Sequence, residues 1–423
     1  MLSGFAQGQR SVRLLSITAA ATFLAGIAFL LLRAVIAPRG EIDFRFFWLA
    51  GKIWATGGDP YSTMFEQTGA ATLPDGNKVL YWFYPPQWWA ICRLLALMSF
   101  SHAVMFWRLA TSFMILGGTT LLVLSLVEKP GRTRLAYIGL ACGFAALIEP
   151  TANVLAFGQS SGLIYLSFAL LVAGVMRGSR WLVGVALLLA TFKPQIGMAL
   201  LFAMLFVPRY RISVLAALAG AGLLALPQLV AFGPLATLRE FLADLQRWSA
   251  LPSNTPLTSS GPSNLLARLG APIGTMGYQM ILAFAMLGYA GWRLRRTWER
   301  PLRALYLSTA VIVALVPLHI YDFTLILVPI ALHLAIVRKP SWLAAVATLA
   351  VIRPGVIETL MRVPQYNDGV SRGLIFFDII TLLLLVDAMS KVMPMASVPL
   401  RQGARLQSSR RAGLGHADAG PHP

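Results

Sequence analysis

Residues 181–207 read WLVGVALLLATFKPQIGMALLFAMLFV. Taken as one helix, the stretch crosses a bilayer easily, because about 20 apolar residues suffice. Taken as two, each half is shorter than the hydrocarbon layer. Lys193-Pro194-Gln195 interrupts the middle, and proline inside a helix removes a backbone donor and clashes with the preceding turn. The stretch therefore reads as two helices meeting at a polar break. Such short crossings are tolerable only where protein or water covers their ends.

The basic residues on either side support the same choice. Lys and Arg gather in short breaks: Lys129, Arg132 and Arg134; Arg177 and Arg180; Arg209 and Arg211; Arg293, Arg295, Arg296, Arg300 and Arg303; Arg338 and Lys339. With two helices over 181–207 all of these fall on one side, the cytoplasmic side by the positive-inside rule. A single helix would turn several of them outward. The same distribution answers the net charge of +19, which is spread over loop breaks and does not form a nucleic-acid-binding face. No nucleic-acid partner is expected; membrane lipids are.

Composition agrees with an all-α polytopic integral membrane protein: 57% hydrophobic and 12% charged residues, far from a soluble domain. Apolar runs near 15–36, 101–127, 135–149, 160–176, 181–191, 195–207, 212–232, 275–292, 304–318, 323–337, 341–353 and 373–391 give about 12 transmembrane helices with both termini inside. The first run follows Arg10 and Arg13, is too long for a secretory h-region, and reads as an uncleaved signal-anchor. Residues 1–391 form one transmembrane domain, and 392–423 a basic, disordered cytoplasmic tail held near anionic headgroups. The chain sits in the cytoplasmic membrane. Cys92 and Cys142 lie in apolar surroundings and read as small core residues, without a disulfide framework or metal site. Neither metal nor cofactor is expected.

Two external segments are long enough to build something, 37–100 and 233–274. The first is dense in aromatics, including Phe44, Phe47, Trp48, Trp54, Trp82, Phe83, Tyr84, Trp88 and Trp89. An aromatic belt that anchors the loop at the headgroup layer accounts for most of these rings. Residues 43–55 read as an amphipathic helix lying in the interface, ended by Gly57-Gly58-Asp59-Pro60. Residues 86–99 form a helix lying against the outer surface or dipping into it. Asp43 is not explained by a belt. It stands just beyond the first apolar run, where an ionised group is costly and marks a functional candidate. Its alternative role is to satisfy backbone donors at the head of the helix that follows.

Asp43, Gly58-Asp59-Pro60-Tyr61, Tyr84-Pro85-Pro86, Gly158-Gln159, Lys193-Pro194-Gln195 and His319-Ile320-Tyr321-Asp322 follow one another in the order of glycosyltransferase family 87, which this chain resembles from about residue 15 to 390. The resemblance implies a GT-C type bundle in which an acidic residue on the first external segment acts at the membrane surface. It implies transfer of a hexose, mannose first, from a polyprenyl-phosphate donor to an acceptor hydroxyl on a glycolipid or glycan. The implied chemistry needs a base for the hydroxyl, stabilisation of an oxocarbenium-like centre, and a cation for the leaving phosphate.

On that resemblance Asp43 is the base and His319 contacts the substrate or supports the base; otherwise His319 bonds a helix-end carbonyl. His319 and Asp322 stand three apart and share a helix face, and Asp322 orients the histidine. Lys193 takes the donor phosphate, against a structural salt bridge or snorkelling. Arg268, Arg353, Arg362 and Arg372 are external in this topology, and Arg353 and Arg372 extend the cationic rim. Glu149, before Pro150, lines the cleft or simply faces water. Tyr84, Pro85 and Pro86 shape the wall, and Gln159 offers an amide to a sugar hydroxyl or belongs to a plain turn. The reading from a different class is a transporter or flippase of lipid-linked sugars, which also uses broken helices with buried polar groups. A ligase of larger lipid-linked glycans is the third.

Overall fold

The computed structural model describes residues 2–36, 42–73, 81–128, 131–251, 259–268, 276–296, 301–339, 341–353 and 374–392. Every regular element within them is helical. Among the described residues four stretches are long and apolar enough to cross a membrane: Val12–Val35, Phe100–Leu126, Pro208–Phe232 and Ile320–Val337. The expected uninterrupted span over 135–149 is instead α6 (Arg132–Leu147) followed by α7 (Glu149–Phe157), bent by 58°. The chain is extended at Ile148: Pro150, in the first turn of α7, has no N–H for the Ala146 carbonyl of an unbroken helix, and its ring would clash there. Other expected crossings, such as α8 (Ser161–Met176), α15 (Pro301–Leu315) and α17 (Trp342–Ile352), are shorter apolar helices. The basic tail beyond residue 392 lies outside the described residues.

The decisive stretch folds as two helices. Helix α9 (Arg180–Ala190) stops at Thr191, and α10 (Pro194–Leu205) starts with Pro194 in its first turn and Lys193 at its N-cap. The two run antiparallel, because their ends away from the break meet. Arg209 Nη2 donates to the Gly178 carbonyl at 2.7 Å and Ser213 Oγ to the Arg180 carbonyl at 2.8 Å. The break leaves carbonyls that a helix would have used. Gln87 Nε2 donates to the Thr191 carbonyl at 2.9 Å and Trp88 Nε1 to the Phe192 carbonyl at 3.0 Å. Protein thus covers the ends of both short helices, as backbone without water requires.

Those two donors belong to the first polar segment, which packs as a core of its own. It comprises α2 (Ile42–Ala55), α3 (Met64–Thr72), a 3-10 turn over Pro86–Trp88 and α4 (Trp89–Ala96). The aromatics do not form a headgroup belt. Phe47 lies 4.4 Å from Trp88 and 4.6 Å from Tyr84, Trp82 lies 5.1 Å from Tyr84 and 5.7 Å from Trp54, and Trp82 and Trp88 are fully buried. Nor does α2 lie free in the interface: Phe44, Phe47, Leu49, Ala50 and Ile53 are all buried. Phe47 packs at a tilt on Trp88 and Tyr84, Trp54 meets Trp82 edge-on, and α4 closes over them.

Gly51 permits that closure. A β-carbon there would run into the Cys92 carbonyl of α4. Gly51→Ala is therefore expected to destabilise by about 1–3 kcal/mol through overpacking and to lower activity further by shifting α2. Thermal melting in detergent, read beside turnover, checks this.

Behind this layer, α8 is buried on almost every side and α5 (Phe100–Leu126) packs along it. Helix α1 (Leu2–Ile36) lies against α6 where a β-carbon on Gly143 would strike the Thr22 carbonyl, the close approach small residues allow between apolar helices. Cys92 and Cys142 are buried and free. At the other end of the bundle a polar clasp joins α15, α16 (Leu327–Val337) and α18 (Leu374–Val392). Asp387 Oδ2 accepts from Tyr306 at 3.0 Å and meets His333 Nδ1 at 2.8 Å, while Lys391 donates to Oδ1 at 2.8 Å.

Candidate active site

Asp43 occupies the first turn of α2, where a carboxylate is favoured by the unpaired backbone donors. What brings it to a site is the glycine that ends α7. Gly158 adopts φ +69° and the Gln159 N–H donates to the Val154 carbonyl at 3.0 Å, a left-handed helix ending that glycine adopts most readily. A β-carbon on Gly158 would come 2.5 Å from Phe44 Cβ, so the end of α7 rests directly on α2. Trp107 Nε1 fixes the turn by donating to the Gly158 carbonyl at 2.9 Å. Gln159 then comes near both Asp43 and Tyr84, and its amide lowers the pKa of each.

Tyr84 is held from a third direction. Gly57 (φ +77°) ends α2, Asp59 Oδ1 accepts from the Tyr61 N–H at 3.1 Å and from Gln228 Nε2 at 2.9 Å, and Tyr61 Oη donates to the Tyr84 carbonyl at 2.7 Å. Trp54 Nε1 completes the brace on Gln228 Oε1 at 2.6 Å. The Gly58-Asp59-Pro60-Tyr61 motif is thus scaffolding for the tyrosine.

The charges come from the break and from a 3-10 turn over Ile320–Ile326. Lys193 forms an ion pair with Asp322 Oδ1, both residues buried. Ser161 Oγ donates to the same oxygen at 2.6 Å and the His319 N–H to Oδ2 at 3.3 Å. The Lys193 ammonium lies 5.0 Å above the Tyr321 ring, and the His319 ring stands 5.3 Å from Tyr321 and 6.0 Å from Trp248.

These groups act on Asp43. Burial raises its pKa from 3.8 to about 6, against the lowering by the Gln159 amide and the Lys193 charge, while Asp322 raises it further. Burial also pushes the Tyr84 phenol well above its ordinary value, and the Asp43 and Asp322 charges add to that. The arrangement is a half-buried carboxylate that is ionised at neutral pH yet basic enough to take a proton. It stands beside an ion pair and is walled by tyrosines. Among the described residues no three of His, Cys, Asp and Glu converge as metal ligands would.

The family model for glycosyltransferase family 87 matches residues 82–319, more than half of the chain. The chain belongs to glycosyltransferase family 87. No curated protein matches it. The family-87 match takes in Tyr84, Gln159, Lys193 and His319 but starts past Asp43 and stops just ahead of Asp322. For those two carboxylates it is the geometry that ties them to the matched residues, through Gln159 and Lys193.

Not every expected residue joins this family-87 cluster. The Asp322 carboxylate pairs with Lys193 and accepts from the His319 backbone, while the His319 side chain accepts from the Asp322 backbone N–H, a reciprocal cap at the start of the 3-10 turn. Glu149 opens α7 at the end opposite Gly158, about 13 Å of helix away, and is not among the groups acting on Asp43. Arg353 caps α17 and is exposed, outside the cluster. Arg362 and Arg372 lie outside the described residues, as does the Arg268 side chain. Sequence reading passed over Ser161 and left Tyr321 without a role. A serine in the polar Gly158-Gln159-Ser160-Ser161 run ahead of an apolar helix was the available signal.

Proposed function

We propose that this family-87 enzyme transfers a hexose, most simply mannose, from a polyprenyl-phosphate donor to an acceptor hydroxyl at the extracytoplasmic face of the cytoplasmic membrane. The bundle is of GT-C type with about 12 crossings, and its basic breaks lie on the cytoplasmic side together with both termini. One observation carries the reading. Asp43, Gln159, Tyr84, Lys193 and Asp322, from well-separated parts of the sequence, come close enough to act on one another, with a basic carboxylate in reach of a lysine's charge.

In the reaction, Asp43 accepts the proton of the acceptor hydroxyl as its oxygen attacks the anomeric carbon. The bond from that carbon to the phosphate oxygen breaks on the opposite face, inverting the centre, and its electron pair leaves with the lipid phosphate. Lys193 meets the charge that develops there. Tyr84 and Gln159 border the sugar, and His319 contacts the donor. The acceptor is a hydroxyl on a glycolipid or glycan.

The test is transfer of labelled mannose from polyprenyl-phosphate-mannose by the purified protein in detergent, with a nucleotide-sugar as the comparison donor. Label reaching a lipid or glycan acceptor from the lipid donor alone supports the reading. No transfer, together with movement of the intact lipid across sealed vesicles, replaces it by a transporter. The pH dependence has a defined direction. Asp43 must be ionised to act and its pKa is about 6, so kcat/KM is expected to be flat above that value and to fall about tenfold per pH unit below it. A base with an ordinary carboxyl would keep its rate down to about pH 4.

A further inference from the structure

Lys193 is already committed: its partner is Asp322, and both residues are buried. A lysine that is to meet a lipid phosphate must turn from that partner, which leaves a buried carboxylate behind, and an unpaired buried charge is expensive. Two of the three donors around Asp322 do not belong to Lys193. They are Ser161 Oγ at 2.6 Å and the His319 N–H at 3.3 Å.

Ser161 is completely buried in the first turn of α8, and its side chain does not cap that helix. Nearby buried serines behave differently. Ser112 donates to the Arg108 carbonyl and Ser167 to the Ala186 carbonyl, whereas Ser161 gives its hydroxyl to a carboxylate. Its oxygen also lies 3.5 Å from the Lys193 ammonium, so it touches both members of the pair. On the free side of the lysine, the Tyr321 ring presents a face that a cation can pass over.

From this geometry we infer that Ser161 is a positioning residue that sets the affinity for the donor's lipid phosphate, by holding Asp322 as a fixed anion while Lys193 turns to the phosphate. The inference rests on the transfer reaction above. Without the serine hydroxyl, Asp322 depends more heavily on Lys193, and each exchange of partner costs more. Ser161 takes no part in the chemistry at the acceptor.

The experiment is steady-state transfer by Ser161→Ala and Ser161→Cys, the second keeping the shape but donating weakly. Sugar-free polyprenyl phosphate serves as a product inhibitor. Loss of one hydrogen bond to a charged group predicts that Ser161→Ala raises the donor KM and the polyprenyl phosphate Ki together, about tenfold, with the acceptor KM unchanged. Ser161→Cys should fall between the alanine variant and the native enzyme. A purely structural role would lower kcat and melting temperature and leave that Ki alone, and this result would overturn the inference. Should Ser161→Ala fail to fold, the cysteine variant decides by the same Ki. Native Ki values in these variants beside an inactive Asp43→Asn enzyme remove only the role of Ser161; an active Asp43→Asn enzyme removes the reaction itself.

Discussion

Asp43→Asn is expected to lower transfer by about 10²–10⁴-fold, the range a positioned general base supplies, with melting temperature at neutral pH no lower than the native value. The second half of that expectation follows from the direction of the pKa shift. Burial raises the Asp43 carboxyl from 3.8 to about 6, so between those values the folded chain holds a proton that the unfolded chain has released. Stability attributable to this group therefore falls as pH rises through that window and stays reduced above it. A neutral amide removes the cost and keeps its place near Gln159. Loss of activity in this variant thus cannot be put down to misfolding. Asp43→Glu completes the set, since it keeps the charge but moves it by a methylene, and misplacement by about 1 Å costs on the order of 10²-fold. Transfer of labelled sugar and thermal melts on the three proteins give the answer. Native turnover by Asp43→Asn would remove the mechanism.

Most of the site's members were visible in the sequence because each is out of place in its surroundings. A carboxylate stands just beyond an apolar run, a lysine sits inside 181–207, and a Gly-Gln pair breaks a hydrophobic stretch. The break at Lys193 was legible for the same reason, since proline punctuates a helix whatever surrounds it. What they pair with was not legible. Lys193 and Asp322 lie 129 residues apart, and a lysine awaiting a phosphate looks the same in sequence as one with a protein partner. Glu149 and Arg353 show why charge alone is a weak guide. A charge near a helix end gives its depth in the bundle, but not the direction it faces. The aromatic segment misled in another way. Rings that sit at headgroups and rings that pack on one another have the same composition, and only the approach of α4 to Gly51 distinguishes them. Ser161 was hidden because a serine at a helix start usually has nothing more to do than cap it.

The ion pair gives the largest expected effect on stability, and it separates holding the fold from doing chemistry. Lys193→Met leaves Asp322, which is fully buried, with only Ser161 and the His319 N–H, and is expected to cost about 3–5 kcal/mol. Asp322→Leu strands the lysine and should cost about as much. The double variant Lys193→Met with Asp322→Leu removes both charges. Replacing a buried pair with apolar groups of similar volume is often neutral or better, so most of the lost stability should return. Activity should not. Without Lys193 the charge growing on the lipid phosphate has no cation, and transfer should remain about 10²-fold or more below native. Melting curves and transfer rates for the four proteins close a double-mutant cycle, with stability strongly coupled and turnover not rescued. If turnover returned along with stability, the pair would be a structural tie alone, and the phosphate would need another cation.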